Sequence, residues 1–233
     1  MQTSAPATST APLPTSLDTD SRRPAPARWT SVLVPVVVGL VLGPVDLLLQ
    51  RVLPYPFANL ANSPAVWALV AFAVGWSDRI RGRWWPAVAS TLAMLLAVES
   101  YYLAAVLALG DDVSTMTDSA ALTWLALAVG AGVVFGTAGS WARSAHRGRG
   151  PVGTGAAVGV LLAEAAFRLT LSWGPSADEA YRHDAIQTAV LLVLIAAVTG
   201  VFTGRSATQR LTGSLLALGL ALVGALAFGL LFR

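Results

Sequence analysis

Beyond residue 30 the chain is a succession of long apolar runs separated by short polar stretches. Seven runs each approach the roughly 20 residues that a helix needs to cross the hydrocarbon core. They predict spans at about 31–52, 60–77, 85–109, 119–141, 152–173, 185–204 and 211–232. The second is the shortest in character: its strongly apolar part is "PAVWALVAFAVGW", and "PYPFANLANS" before it reads as an irregular or re-entrant piece. No stretch between runs is long enough for a separate soluble domain. The predicted fold is an all-α polytopic transmembrane helix bundle over residues 30–233, preceded by a tail at 1–29. That tail is rich in Ser, Thr, Pro and Ala and lacks an apolar run, so it is expected to be disordered and cytoplasmic. A signal peptide sets a short apolar core beside a brief basic start, and the tail has no such core.

Composition supports the class. Hydrophobic residues make up 55% and charged residues 12% of 233 positions, with mean hydropathy +0.67; soluble domains carry about a quarter charged residues. Absence of cysteine excludes disulfides, thiolate metal sites and cysteine nucleophiles. The pI of about 9.9 invites a nucleic-acid reading, but all fifteen basic residues are arginine and their placement follows topology. With the N-terminus inside, eleven of them (22, 23, 28, 79, 81, 83, 143, 147, 149, 205 and 210) face the cytoplasm. Three, Arg51, Arg182 and Arg233, fall outside, and Arg168 lies within a span. This positive-inside bias predicts an N-terminus in and a C-terminus out, with the bilayer as partner and no nucleic acid. Trp29, Trp76, Trp84, Trp85 and Trp141 are expected at the inner interface and Trp173 at the outer one.

The spans also read as a repeated hairpin. "LLAVESYYLAAVLALGDD" aligns with "LLAEAAFRLTLSWGPSADEA", which matches Glu99 to Glu164 at an offset of 65. Any inside-positive hairpins of this composition align comparably, which is the competing explanation. Gly39/Gly43, Gly132/Gly136, Gly155/Gly159 and Gly200/Gly204 are G-x-x-x-G pairs that let helix backbones approach closely. Asn62 or Ser63 before Pro64, Asp118 with Ser119, and Asp184 read as helix caps.

"ANSPAVWALVAFAVG" (61–75), the "YY" at 101–102, "WLALAVGAGVVFGTAGSWAR" (124–143) and "LLAEAAF" (161–167) together resemble an uncharacterised family of small bacterial multi-pass membrane proteins, a domain of unknown function. The resemblance covers roughly residues 35–200. It implies a bacterial inner-membrane location and supplies no activity, substrate or site.

Candidate chemistry rests on three acids at similar depth, Asp46, Glu99 and Glu164. An ionised carboxylate in lipid costs about 3 kcal/mol on insertion scales, so each is expected to face the bundle interior, pair, or hold a proton. Arg168, four residues after Glu164, offers an intrahelical partner. Glu99 has no cation on its own helix, and Tyr102 at i+3 is the expected hydrogen-bond partner. The candidate intramembrane polar site is therefore Asp46, Glu99, Tyr102, Glu164 and Arg168. In one reading these residues line the path of a small-solute or proton-coupled transporter. In the other they pack a non-catalytic scaffold or a subunit of a larger membrane complex. An intramembrane enzyme ranks last: His146 and His183 lie on opposite sides of the expected topology, and no H-E-x-x-H, G-x-S-x-G or Walker A motif occurs. No cofactor or metal is expected. Oligomeric state is left open.

Overall fold

The structure is a computed structural model, and it describes residues 29–144, 146–174 and 178–231. The tail expected to be disordered lies outside the described residues except for Trp29, as does Arg233. The helices are α1 Thr30–Val52, α2 Phe57–Ala61, α3 Pro64–Trp76, α4 Trp85–Leu109, α5 Ser119–Ala142, α6 Arg149–Ser172, α7 Glu179–Thr203 and α8 Ala207–Leu231. A 3₁₀ turn, Val113–Thr117, joins α4 to α5. Among the described residues there is no strand. Six helices among the described residues, all but α2 and α3, are long and apolar enough to cross a membrane. The chain is thus an all-α, multi-pass membrane protein.

The second expected span differs. In place of a helix over 60–77, a short α2 stops at Ala61 and α3 runs only from Pro64 to Trp76, about 20 Å at 1.5 Å per residue. Pro64 has no N–H to continue a helix and disfavours helical backbone at the residue before it. Ser63 is accordingly extended, with φ −100° and ψ 117°. The start of α7 also differs. Its cap is Asp178, whose carboxylate accepts from the Tyr181 N–H at 2.7 Å, so Asp184 sits within the first two turns rather than at the cap. The other caps agree: Ser63 accepts from the Val66 N–H, and Asp118 from the Ala121 N–H.

Helices α1, α3, α4 and α5 pack together, α4 being seated against the other three. Helices α7 and α8 pack on α6, which contacts both groups through α5 and α3. α6 is the most enclosed span, with 61% of its apolar window buried, whereas for α8 the figure is 17%. α8 nevertheless seats firmly on α6, where Gly155 and Gly159 face Gly213, Leu216, Ala217 and Leu220. Gly39 and Gly43 press on the α4 backbone at Ala93 and Ala97, and Gly132 and Gly136 on Thr91, Pro86 and Ser90. Three of the four G-x-x-x-G pairs are therefore helix–helix seams. The fourth is not: Gly204 is the C-cap of α7 and lies against Arg210.

Hydroxyls tie the seams where the backbones meet. Ser100 donates to the Gly39 carbonyl at 3.0 Å, and Ser90 to the Ala71 carbonyl at 2.8 Å. At the arginine-rich end, Arg143 donates to the Gly75 and Ile80 carbonyls at 3.1 and 2.9 Å and pairs with Asp78 at 3.2 Å. Cations at helix C-termini offset the negative end of the macrodipole. Val and Leu side chains along α1, α5, α7 and α8 are exposed, as expected of faces solvated by lipid.

Candidate functional site

The break before α3 explains the best-enclosed acid. A helix beginning inside a bundle leaves N–H groups without partners, and in lipid each such group costs several kcal/mol. Glu164, on α6 and 1% exposed, supplies the missing acceptor. Its Oε2 accepts from the Ala65 N–H at 2.9 Å and from the Ser63 hydroxyl at 2.7 Å, while Ser63 Oγ itself accepts from the Val66 N–H at 3.1 Å. Its Oε1 accepts from Arg168 Nε at 2.8 Å, with Nη2 at 2.7 Å. The ion pair expected on α6 is formed, and the positive end of α3 adds to it. Arg168 also donates to the Asn59 carbonyl at 3.4 Å, and Asn59 donates to Thr188 on α7 at 3.0 Å. One polar chain thus joins α6, the α2–α3 break and α7, and every charge in it is compensated.

Asp46 lies on the other side of the same break. It is 5% exposed and follows Pro44 in α1. Its carboxylate accepts from Gln50 Nε2 at 2.8 Å, and the Trp67 side chain lies close enough to act on it. Among the described residues no cation pairs with it. Asp46 borders a partly open cavity of about 430 Å³ lined by α1, α3, α4, α5 and the α2–α3 break. Trp67, Tyr101, Tyr102 and Trp124 form aromatic walls, and Asp111, Thr115 and Asp118 lie at the 3₁₀ turn. The rings of Tyr101 and Tyr102 meet edge to face at 5.6 Å. A smaller hollow of about 170 Å³ at Glu164 and Arg168 shares Asn62, Pro64 and Trp124 with it. A third, of about 500 Å³ among Met94, Leu127, Val134 and Phe135, is lined almost wholly by apolar side chains and offers little to fix a polar ligand.

Glu99 stands apart. The buried positions of α4 include Ala89, Ser90, Ala93, Ala97 and Ser100. The helical period sets Glu99 on the opposite face, with exposed Val88 and Leu103. Glu99 is half-buried and borders none of the three hollows. Among the described residues it has no hydrogen bond or ion pair, and the bond expected from Tyr102 is absent, because Tyr102 lines the Asp46 cavity instead. The 65-residue offset matching Glu99 to Glu164 does not carry into their surroundings: one faces outward from α4, the other is enclosed by α6 and α3.

Of the five expected site residues, the structure brings Glu164 and Arg168 together and places Asp46 and Tyr102 on a common cavity. Trp67, Tyr101 and Trp124 complete that cavity and were not singled out as chemistry. Trp67 is one turn into α3, and nothing local marks it as a neighbour of an acid on α1. No three His, Asp or Glu side chains gather as metal ligands among the described residues.

A family model described as a family of unknown function (DUF6518) matches residues 22–233. No curated protein matches the chain, and no solved structure does.

Proposed function

The chain belongs to this family of unknown function, DUF6518, and from its own residues we propose a bacterial inner-membrane protein that admits a small solute to the Asp46 cavity, as a transporter does. The observation carrying this reading is a cavity of about 430 Å³ bordered by a buried acid and four aromatic rings. Ligand pockets of roughly 300–1,000 Å³ with apolar walls and a few polar groups are the usual form of small-molecule sites. The arginine bias supports the N-terminus inside, which sets the 3₁₀ turn and the cavity mouth on the outer side. The broken α2–α3 segment supports it as well, since interrupted helices beside a central site recur in transporters.

A non-catalytic scaffold or a subunit of a larger complex has one observation of its own: Glu99, unpaired on an outward face, suits a neighbouring helix from another chain. The chain has no cysteine, so thiols introduced singly discriminate the two. Ala105 borders the cavity and is buried. Ala105→Cys is expected to react with a small uncharged water-soluble thiol reagent added to intact cells, whereas Leu161→Cys in the core of α6 is not. An unreactive thiol at 105, under conditions that modify Ser114→Cys on the exposed 3₁₀ turn, would favour the scaffold.

A further inference from the structure

We infer that the ligand of the Asp46 cavity is a small organic ammonium ion, an inference that rests on the solute-binding reading and adds the ligand's chemical class. Among the described residues three carboxylates border the cavity, those of Asp46, Asp111 and Asp118, and no arginine or histidine does. The two at the 3₁₀ turn are partly committed or exposed: Asp118 caps α5, and Asp111 faces solvent. Asp46 is different. It is 5% exposed, its donor is the neutral Gln50 with the neutral Trp67 beside it, and no ion pair reaches it among the described residues. The nearest basic residue in sequence, Arg51, is exposed and lies within electrostatic reach of Tyr101. A carboxylate taken out of water attracts a cation far more strongly than one at a surface, and it retains lone pairs beyond the hydrogen bond from Gln50. Glu164 shows the contrast within the same fold, since Arg168 already neutralises it.

The walls select the kind of cation. Trp67, Tyr101, Tyr102 and Trp124 line the cavity, and aromatic rings hold organic ammonium groups through their quadrupoles. A divalent metal asks for several oxygen ligands on one point, and no such group converges among the described residues. An anionic solute would meet three carboxylates and no cation.

The test uses purified full-length Ala105→Cys protein in detergent and measures the rate of thiol modification by the uncharged reagent. Choline and its neutral carbon isostere, 3,3-dimethylbutan-1-ol, are the probes, at equal ionic strength. Choline is expected to slow modification roughly tenfold at a concentration near ten times its dissociation constant, and the neutral isostere is not. Adding Asp46→Asn is expected to weaken choline protection by about tenfold or more, a loss of about 1.4 kcal/mol or more. Equal protection by both probes overturns the ammonium ion and leaves a neutral-solute cavity. A reactive thiol that neither probe protects overturns it too. A thiol that never reacts defeats the solute-binding reading itself. The comparison of probes on Ala105→Cys alone decides the matter should the Asp46 variant fail to fold.

Discussion

At the scale of single residues, a mid-span acid proves to be a helix cap contributed from another helix. Glu164 offers one oxygen to the start of α3 and the other to Arg168. Arg168→Ala leaves the buried acid without its cation, and breaking one side of a buried pair costs about 3–5 kcal/mol. The lower end is expected here, because Ser63 and Ala65 still donate. Adding Glu164→Gln removes the stranded charge while keeping an acceptor, so the double variant should unfold later in a detergent denaturation series than Arg168→Ala alone. Equal midpoints would mean that Arg168 only reaches for the interface with its head group. Ser63→Ala removes one donor from Glu164 and the acceptor for the Val66 N–H, and a loss of about 1–2 kcal/mol is expected by the same measurement.

At the scale of elements, seams between helices are set by backbone contact rather than by interlocking large side chains. A methyl group at Gly75 would collide with the backbone of Gly136, and one at Gly139 with the carbonyl of Phe72. α3 and α5 therefore meet backbone to backbone at these glycines, which gives a segment as short as α3 close contact. Gly130 lies on the same α5 with open space around it. Gly75→Ala is expected to lower the thermal midpoint by the equivalent of about 1–3 kcal/mol through overpacking. Gly130→Ala is expected to raise it slightly, because alanine is favoured over glycine in a helix by about 1 kcal/mol. Similar effects at both positions would show that the α3–α5 seam is looser than this geometry.

At the scale of the whole molecule, charge asymmetry and helix packing agree on two ends. One carries Arg79, Arg81, Arg83, Arg143, Arg147, Arg149, Arg205 and Arg210 around the α3–α4, α5–α6 and α7–α8 connections. Arg205 there donates to the Arg143 carbonyl at 2.6 Å, and Arg210 to the Gly204 carbonyl at 2.9 Å, so the same cations that orient the chain also tie its connections. The other end carries the 3₁₀ turn with Asp111, Asp112 and Asp118. In intact cells, an impermeant thiol reagent is expected to modify Ser114→Cys and to spare His146→Cys until the membrane is opened. The reverse pattern would invert the orientation and move the cavity mouth to the cytoplasm.

Class, long helices and the caps before α3 and α5 were legible in the residues alone, because these depend on local quantities: apolar length, Pro and Gly positions, and a polar residue before a helix. Helices α4 and α5 fall within one or two residues of the expected spans for that reason, and the Glu164–Arg168 pair was readable because four residues on one helix share a face. Which groups each acid meets came only with the packed helices. Glu99 and Glu164 occupy similar sequence contexts, yet Glu164 meets the start of α3 across 99 residues of chain and Glu99 turns away from the bundle. Asp46 gains Trp67 and a cavity only because Gly39 and Gly43 bring α1 onto α4 beside α3. Burial, partner and cavity are properties of helices placed side by side, and no local pattern of apolar and polar residues encodes which helix will lie next to which.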